Sequence, residues 1–250
     1  MENDIVHVEP APASLTGGAA HLAADPRAVT ILSTEHWSLL TSRSLSYNEA
    51  FSRGQMFLTF LSASLVALGF VAGNAAAGAE LPFVAVALLG LDLFIGLATL
   101  GRLQRAGTEE FLALQGMARI RHAYLELVPG LEPYFSTSRH DDIAGVMTAY
   151  GASTARPTAT QSILHGFTTM PGMIAVVDAA VAGALVASVV LGIGMDGRSA
   201  LVVGVAAGLA AMAALIAYSQ RTFQATNREL DVRFPSPAVG ADQPPGRRNT

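Results

Sequence analysis

The stretch ALLGLDLFIGLATLG, residues 87–101, is built of side chains suited to hydrocarbon, yet it carries one carboxyl group, Asp92, at its middle. It belongs to an apolar run from Phe83 to Gly101 that follows Pro82. Three further runs share its character: Met56 to Gly73, Gly172 to Gly194 and Ala200 to Tyr218. At a helical rise of about 1.5 Å per residue, runs of about 18 to 23 residues each cover roughly 30 Å, the thickness of a bilayer's hydrocarbon core. Four transmembrane helices are predicted, over about 56–73, 83–101, 172–194 and 200–218.

Composition agrees. Of the 250 residues, 51% are hydrophobic and 14% charged, against roughly 25% charged in an ordinary soluble domain. No large soluble domain fits beside four spans. Cysteine is absent, which excludes disulfides, thiolate nucleophiles and cysteine-held metal centres. The 15 basic residues are all arginine; with so much Ala and Gly, this reads as the codon usage of a GC-rich bacterial genome. A formal net charge of −4 with scattered cations gives no footprint for nucleic acid.

Arginine placement sets the expected threading. The segments NAAAGAELP and MDGRS hold one arginine between them, Arg198, whereas Arg43, Arg53, Arg102, Arg105, Arg119, Arg121, Arg139, Arg156, Arg221 and Arg228 lie on the other side. Arginine near span ends is retained in the cytoplasm. The expectation is a multi-pass protein of the cell inner (cytoplasmic) membrane with both termini cytoplasmic. The first thirty residues carry neither a basic leader nor an apolar stretch of signal-peptide length, so no cleavable signal is expected.

Outside the bilayer the spans are expected to continue as long cytoplasmic helices. Ser33 and Thr34 are suited to cap a rod that runs through Trp37, Leu40, Leu45, Tyr47 and Phe51 into the first span. The second span continues until Pro129 and Gly130, and the fourth gains a few turns. Short helices are expected near Asp141–Tyr150, capped by Ser138, and near Thr158–Thr169, with Pro171 at the entry to the third span. The domain reading is a disordered cytoplasmic segment 1–32, a four-helix transmembrane domain 33–231 with a cytoplasmic helical layer 102–171, and a disordered Pro- and Gly-rich tail 232–250.

Asp92 and Asp178 are the two acids inside the spans. An ionisable group at the bilayer centre costs about 2.5 to 3.5 kcal/mol on insertion scales, so each should face protein or water. Gly96 and Thr99, with Ala85 a heptad back, make the Asp92 face small and weakly polar. By helical rise, Asp178 lies about 9 Å and Asp92 about 14 Å from the same surface. Facing one another, the two would form a cation site or a proton relay; lying apart, each could simply bond neighbouring helices together. On the first helix, stepping by four and three gives Thr41, Leu45, Asn48, Ser52, Gln55, Thr59, Ser62, Val66, Gly69 and Gly73. That seam suits either a water path, with Gln55, Thr59 and Ser62 as lining, or close helix packing.

Close packing is also written in GxxxG pairs at Gly69/Gly73 and Gly204/Gly208, and in the small ridge Ala175, Ala179, Gly183 and Ala187. Arg102 and Arg105 are placed to meet anionic headgroups. In ARIRHAYLE, His122 and Glu126 are i,i+4 partners on a solvated face. His140, Asp141 and Asp142 point to different sides of a helix, and His36, His122 or His165 would have to join them to hold a metal. No metal, cofactor or catalytic residue is therefore expected, and no nucleotide-binding or hydrolase motif is present, so the chain does not read as an enzyme. The partners expected are membrane lipids, further copies of the chain and, on the scaffold reading, a cytoplasmic protein recruited by the rods. Two functions compete: an oligomeric ion- or proton-conducting membrane protein, and a non-conducting scaffold or signalling protein.

Overall fold

The computed structural model describes residues 25–74, 80–150, 169–228 and 230–237. The described residues are all-helical, with no strand. Five α-helices follow in order: α1 (Ala28–Gly73), α2 (Leu81–Leu127), α3 (Ile143–Thr148), α4 (Met170–Gly192) and α5 (Gly197–Arg228), with a 3₁₀ segment Pro129–Tyr134 between α2 and α3. All but α3 are long and apolar enough to cross a membrane, which marks a membrane-embedded protein. The expected helix near Thr158–Thr169 and the first 24 residues lie outside the described residues.

Helix boundaries follow local chemistry. The start of α1 lies five residues before the Ser33/Thr34 pair, because Asp25 and Pro26 supply an earlier signal. The Asp25 carboxylate accepts the Arg27 N–H at 2.9 Å and its carbonyl accepts the Ala28 N–H at 3.0 Å, while Pro26, two residues ahead of the helix, forfeits no helical hydrogen bond. Thr34 instead donates its hydroxyl to the Thr30 carbonyl within the helix. Likewise Asp142, not Ser138, caps α3, accepting the Gly145 N–H at 2.8 Å. α2 stops at Leu127 before Pro129. Thr169 caps α4, with Pro171 in its first turn. The turn between α4 and α5 requires Gly194, at φ 88°, a left-handed conformation that side chains disfavour.

The chain divides into two compact units, one of residues 43–111 with 155–230, the other of residues 1–42, 112–154 and 231–250. The first holds the apolar stretches. Its core joins Ala50, Phe57 and Leu61 of α1, Ala85, Leu89, Leu100 and Leu103 of α2, and Ile174 and Val181 of α4. Large apolar side chains on the same helices point outward, including Phe70 at 78% exposure and Phe94 at 71%, as hydrocarbon-facing positions should. Just past the apolar stretches, Arg102 pairs with Glu49 at 3.0 Å and Glu109 at 3.1 Å, and Arg43 pairs with Glu110 at 2.6 Å. Arg102 is thus committed to protein carboxylates instead of headgroups; Arg105 remains exposed.

α4 and α5 meet through glycine. A Cβ at Gly183 would stand 2.7 Å from the Gly204 carbonyl oxygen, one at Gly204 would stand 2.8 Å from both the Gly183 oxygen and the Ala187 Cβ, and one at Gly208 would stand 3.1 Å from the Ala179 oxygen. The ridge Ala179, Gly183, Ala187 therefore seats against Gly204 and Gly208, the small-on-small contact that replaces the hydrophobic effect within lipid. Gly69 and Gly73 do no such work: space beside each is open, because both lie on the exposed face of α1. Gly204→Leu is accordingly expected to separate α4 from α5 and lower thermal stability in detergent by several degrees.

Candidate functional site

The buried face of α1 consists of Ala50, Gly54, Phe57, Leu61 and Ser64, positions spaced by four and three along one side of the helix. Opposite it, α2 presents Leu89, Asp92, Gly96, Thr99 and Leu100, all buried. Asp92 and Asp178 are both fully buried, at 0% exposure. Ser64 Oγ donates to Asp92 Oδ1 at 3.1 Å; Asp92 Oδ2 has no partner among the described residues.

Asp178 sits two turns into α4 and points at α2. Its Oδ1 occupies the space that a side chain on Gly96 would fill: a Cβ there would overlap Oδ1, lie 2.7 Å from Asp178 Cγ and lie 3.0 Å from Phe57 Cε2. Gly96 is therefore a notch in α2 that admits a carboxyl group. Neither oxygen of Asp178 has a hydrogen-bond partner among the described residues. Gly96 follows Asp92 by one turn, an axial step of about 6 Å, so the two acids meet the same helix at adjacent levels. Burying a carboxyl without a partner costs several kcal/mol if it is charged. Such a group is retained at a cost to stability.

Gln55, Thr59 and Ser62 are not brought to this place. All three are exposed, turned away from the face that carries Phe57 and Ser64. Thr59 donates to the Gln55 carbonyl at 2.9 Å and Ser62 to the Leu58 carbonyl at 2.7 Å, so their hydroxyl protons are spent on the helix itself. Within one chain, the small-and-polar seam and the acid pair are separate features. The residues that do complete the acid site, Ser64 and Phe57, follow the other four-and-three progression. The signal for them was the bulk of Phe57 and Leu61 followed by the Ser64 hydroxyl on the progression 50, 54, 57, 61 and 64.

The second unit contains a different acid cluster. Asp141, at 0% exposure, accepts Arg119 Nε at 2.8 Å, the Arg233 N–H at 3.0 Å and the Phe234 N–H at 2.7 Å. Asp142 accepts both the N–H of Ser236, at 2.9 Å, and its hydroxyl, at 2.8 Å. Gln115 and Arg119 donate to the Asp231 carbonyl. The His122 ring stacks on Phe234 with centroids 3.8 Å apart. His140, Asp141 and Asp142 thus fasten the chain: two acids hold residues 231–237, which the sequence reading left unstructured from 232. Among the described residues no group of three or more His, Asp or Glu side chains is placed to hold a metal.

Electrostatics follow from these contacts. Burial would raise the Asp141 carboxyl, but the Arg119 guanidinium and two backbone N–H groups hold it below the ordinary carboxylate range. Asp142 is lowered in the same way, against its own burial, by the Gly145 and Ser236 N–H groups and the Ser236 hydroxyl. Burial lowers His122, with Arg139 and His140 adding to the effect and Glu126 opposing it. For an acid whose folded-state pKa is depressed, the stabilisation is fully present above the unfolded value and is lost as pH falls through the folded one. The clasp should therefore stay closed throughout the neutral range and release only in acid below the ordinary carboxylate range, seen as rising amide exchange at Arg233 and Phe234.

The chain matches no family model, and no curated protein or solved structure shows significant similarity to it.

Proposed function

We propose that this chain is a multi-pass inner-membrane protein that assembles with further copies of itself and forms an ion- or proton-conducting pathway, with Asp92 and Asp178 as its acidic sites. One observation carries the reading: two fully buried carboxyl groups meet α2 one turn apart, and Asp178 has no hydrogen-bond partner for either oxygen. Ionisable groups inside a membrane are costly and mark ion or proton paths by default. Four spans enclose little solvated space, which supports a closed ring of copies. The exposed seam through Gln55, Thr59 and Ser62 is available as a surface between copies. The arginine asymmetry supports both termini, and the helical extensions beyond the spans, on the cytoplasmic side.

A second reading, a non-conducting scaffold whose cytoplasmic helices recruit a protein partner, draws on a specific contact. Ser64 already satisfies one oxygen of Asp92, the use expected of an acid that locks helices together. Reconstitution into liposomes with an ion-flux assay separates the two. Conduction predicts flux that falls at least tenfold in Asp92→Asn while the protein still elutes as the wild-type assembly. A scaffold predicts no flux under any gradient or pH.

A further inference from the structure

The notch at Gly96 narrows what the pathway would carry. We infer that the transported ion is the proton, that Asp178 is its carrier, and that the Phe57 ring is the plug beside it. This inference rests on the conduction reading above.

The first argument is coordination. A bare metal cation must replace its hydration shell with several oxygen ligands, six to eight for calcium and near-octahedral for magnesium. The Asp178 carboxyl lies in the notch at Gly96, into which the edge of the Phe57 ring also reaches, and neither of its oxygens has a hydrogen-bond partner among the described residues. The Ser64 hydroxyl is directed to Asp92. A proton needs one oxygen. Its binding also removes the charge, which is costly on a fully buried carboxyl without a hydrogen-bond partner.

The second argument is order along the helices. Phe57 lies two turns from Ser64 on α1, and Gly96 lies one turn from Asp92 on α2, both toward the end of the spans where the Arg102 ion pairs stand. From that end inward the sequence of groups is Phe57, then Asp178 in its notch, then Asp92 with Ser64. The fully buried Phe57 ring, at 0% exposure, shares the notch with the carboxyl and separates it from the polar layer. Transfer balances without any other reagent: the O–H bond of protonated Asp178 breaks, a new O–H forms on the Asp92 carboxylate, and the charge moves in the opposite direction. Asp178 is then reloaded from the aqueous side once the Phe57 ring moves aside.

The test uses the whole protein in liposomes holding a pH-sensitive dye, with a membrane potential set by a potassium gradient and valinomycin, and with labelled sodium entry, which valinomycin does not carry, followed in parallel. The expected result is a potential-driven change of internal pH without labelled cation entry. The pH change should fall at least tenfold in Asp178→Asn and rise severalfold in Phe57→Ala. Selectivity of the wild-type protein tests the assignment even if a variant fails to fold. Sodium entry at constant internal pH would overturn the proton assignment and leave conduction standing; movement of no ion would overturn both. An unchanged proton flux in a correctly assembled Phe57→Ala protein would remove Phe57 as the plug.

Discussion

Gly96→Ala is expected to destabilise the protein, whereas Gly90→Ala, less than two turns away on the same helix, is expected to be neutral or stabilising. In an ordinary helix interior, alanine is favoured over glycine by roughly 1 kcal/mol. At Gly90 nothing lies within 4 Å of the added methyl, so that preference stands. At Gly96 the methyl would take the place of Asp178 Oδ1 and stand 3.0 Å from Phe57. The carboxyl would then have to leave its notch or α4 would have to retreat from α2, opening the contacts around Leu89, Leu100 and Ile174. Overpacking of this kind costs about 1 to 3 kcal/mol, which reverses the sign of the substitution. Thermal unfolding in detergent checks the contrast. Ion flux through Gly96→Ala should fall at least tenfold, because a displaced Asp178 no longer occupies its notch one turn along α2 from Asp92. Equal stability of the two variants would mean that Asp178 does not lie against Gly96.

Asp141→Ala should produce the largest effect in the second unit. It removes the acceptor for Arg119 and for two consecutive backbone N–H groups at once. Arg119, with 27% of its side chain exposed, keeps only Asp231 as a partner. Removing one member of a buried ion pair costs about 3 to 5 kcal/mol, since the remaining charge is left uncompensated. Ser236→Ala, which deletes one hydroxyl bond to Asp142, should cost about 0.5 to 1.5 kcal/mol. The expected readout is loss of amide protection at Arg233 and Phe234, with new protease cleavage after Arg233, strong in the first variant and slight in the second. Protection unchanged in Asp141→Ala would show that the tail is held by something other than this acid.

The four spans were legible because unbroken apolar runs of bilayer length leave few alternatives, and Asp92 and Asp178 stood out because nothing else in those runs is ionisable. Their approach to one helix was not legible. Periodicity tells which residues share a face, but not which face a neighbouring helix takes, and both sides of α1 carry small and hydroxylated residues. The seam through Thr59 and Ser62 and the face through Phe57 and Ser64 are equally regular. Bulk decides between them, since Phe57 and Leu61 fill the space between helices while Thr59 and Ser62 satisfy their own hydroxyls on the backbone. The tail was hidden for another reason. Asp141 and Asp142 grip it mainly through backbone N–H groups, which every residue except proline possesses, so its Pro-rich composition conceals its anchorage. The start of α1 was written in Asp25-Pro26, a signal that needs no apolar neighbour and so escapes a search for periodic runs.

Hydrocarbon surrounds these helices on the outside, while Asp178 faces α2 and Asp92 faces α1 within. A chain without cysteine is a ready background for single spin labels. Phe94→Cys and Leu209→Cys, both outward-facing, can be labelled in liposomes and compared with Asp178→Cys by collision with oxygen, which concentrates in lipid, and with a water-soluble nickel chelate. The account predicts frequent oxygen and rare nickel collisions at 94 and 209, and an immobilised label with few collisions of either kind at 178. Nickel contact at 94 and 209, or a mobile, oxygen-rich label at 178, would contradict it.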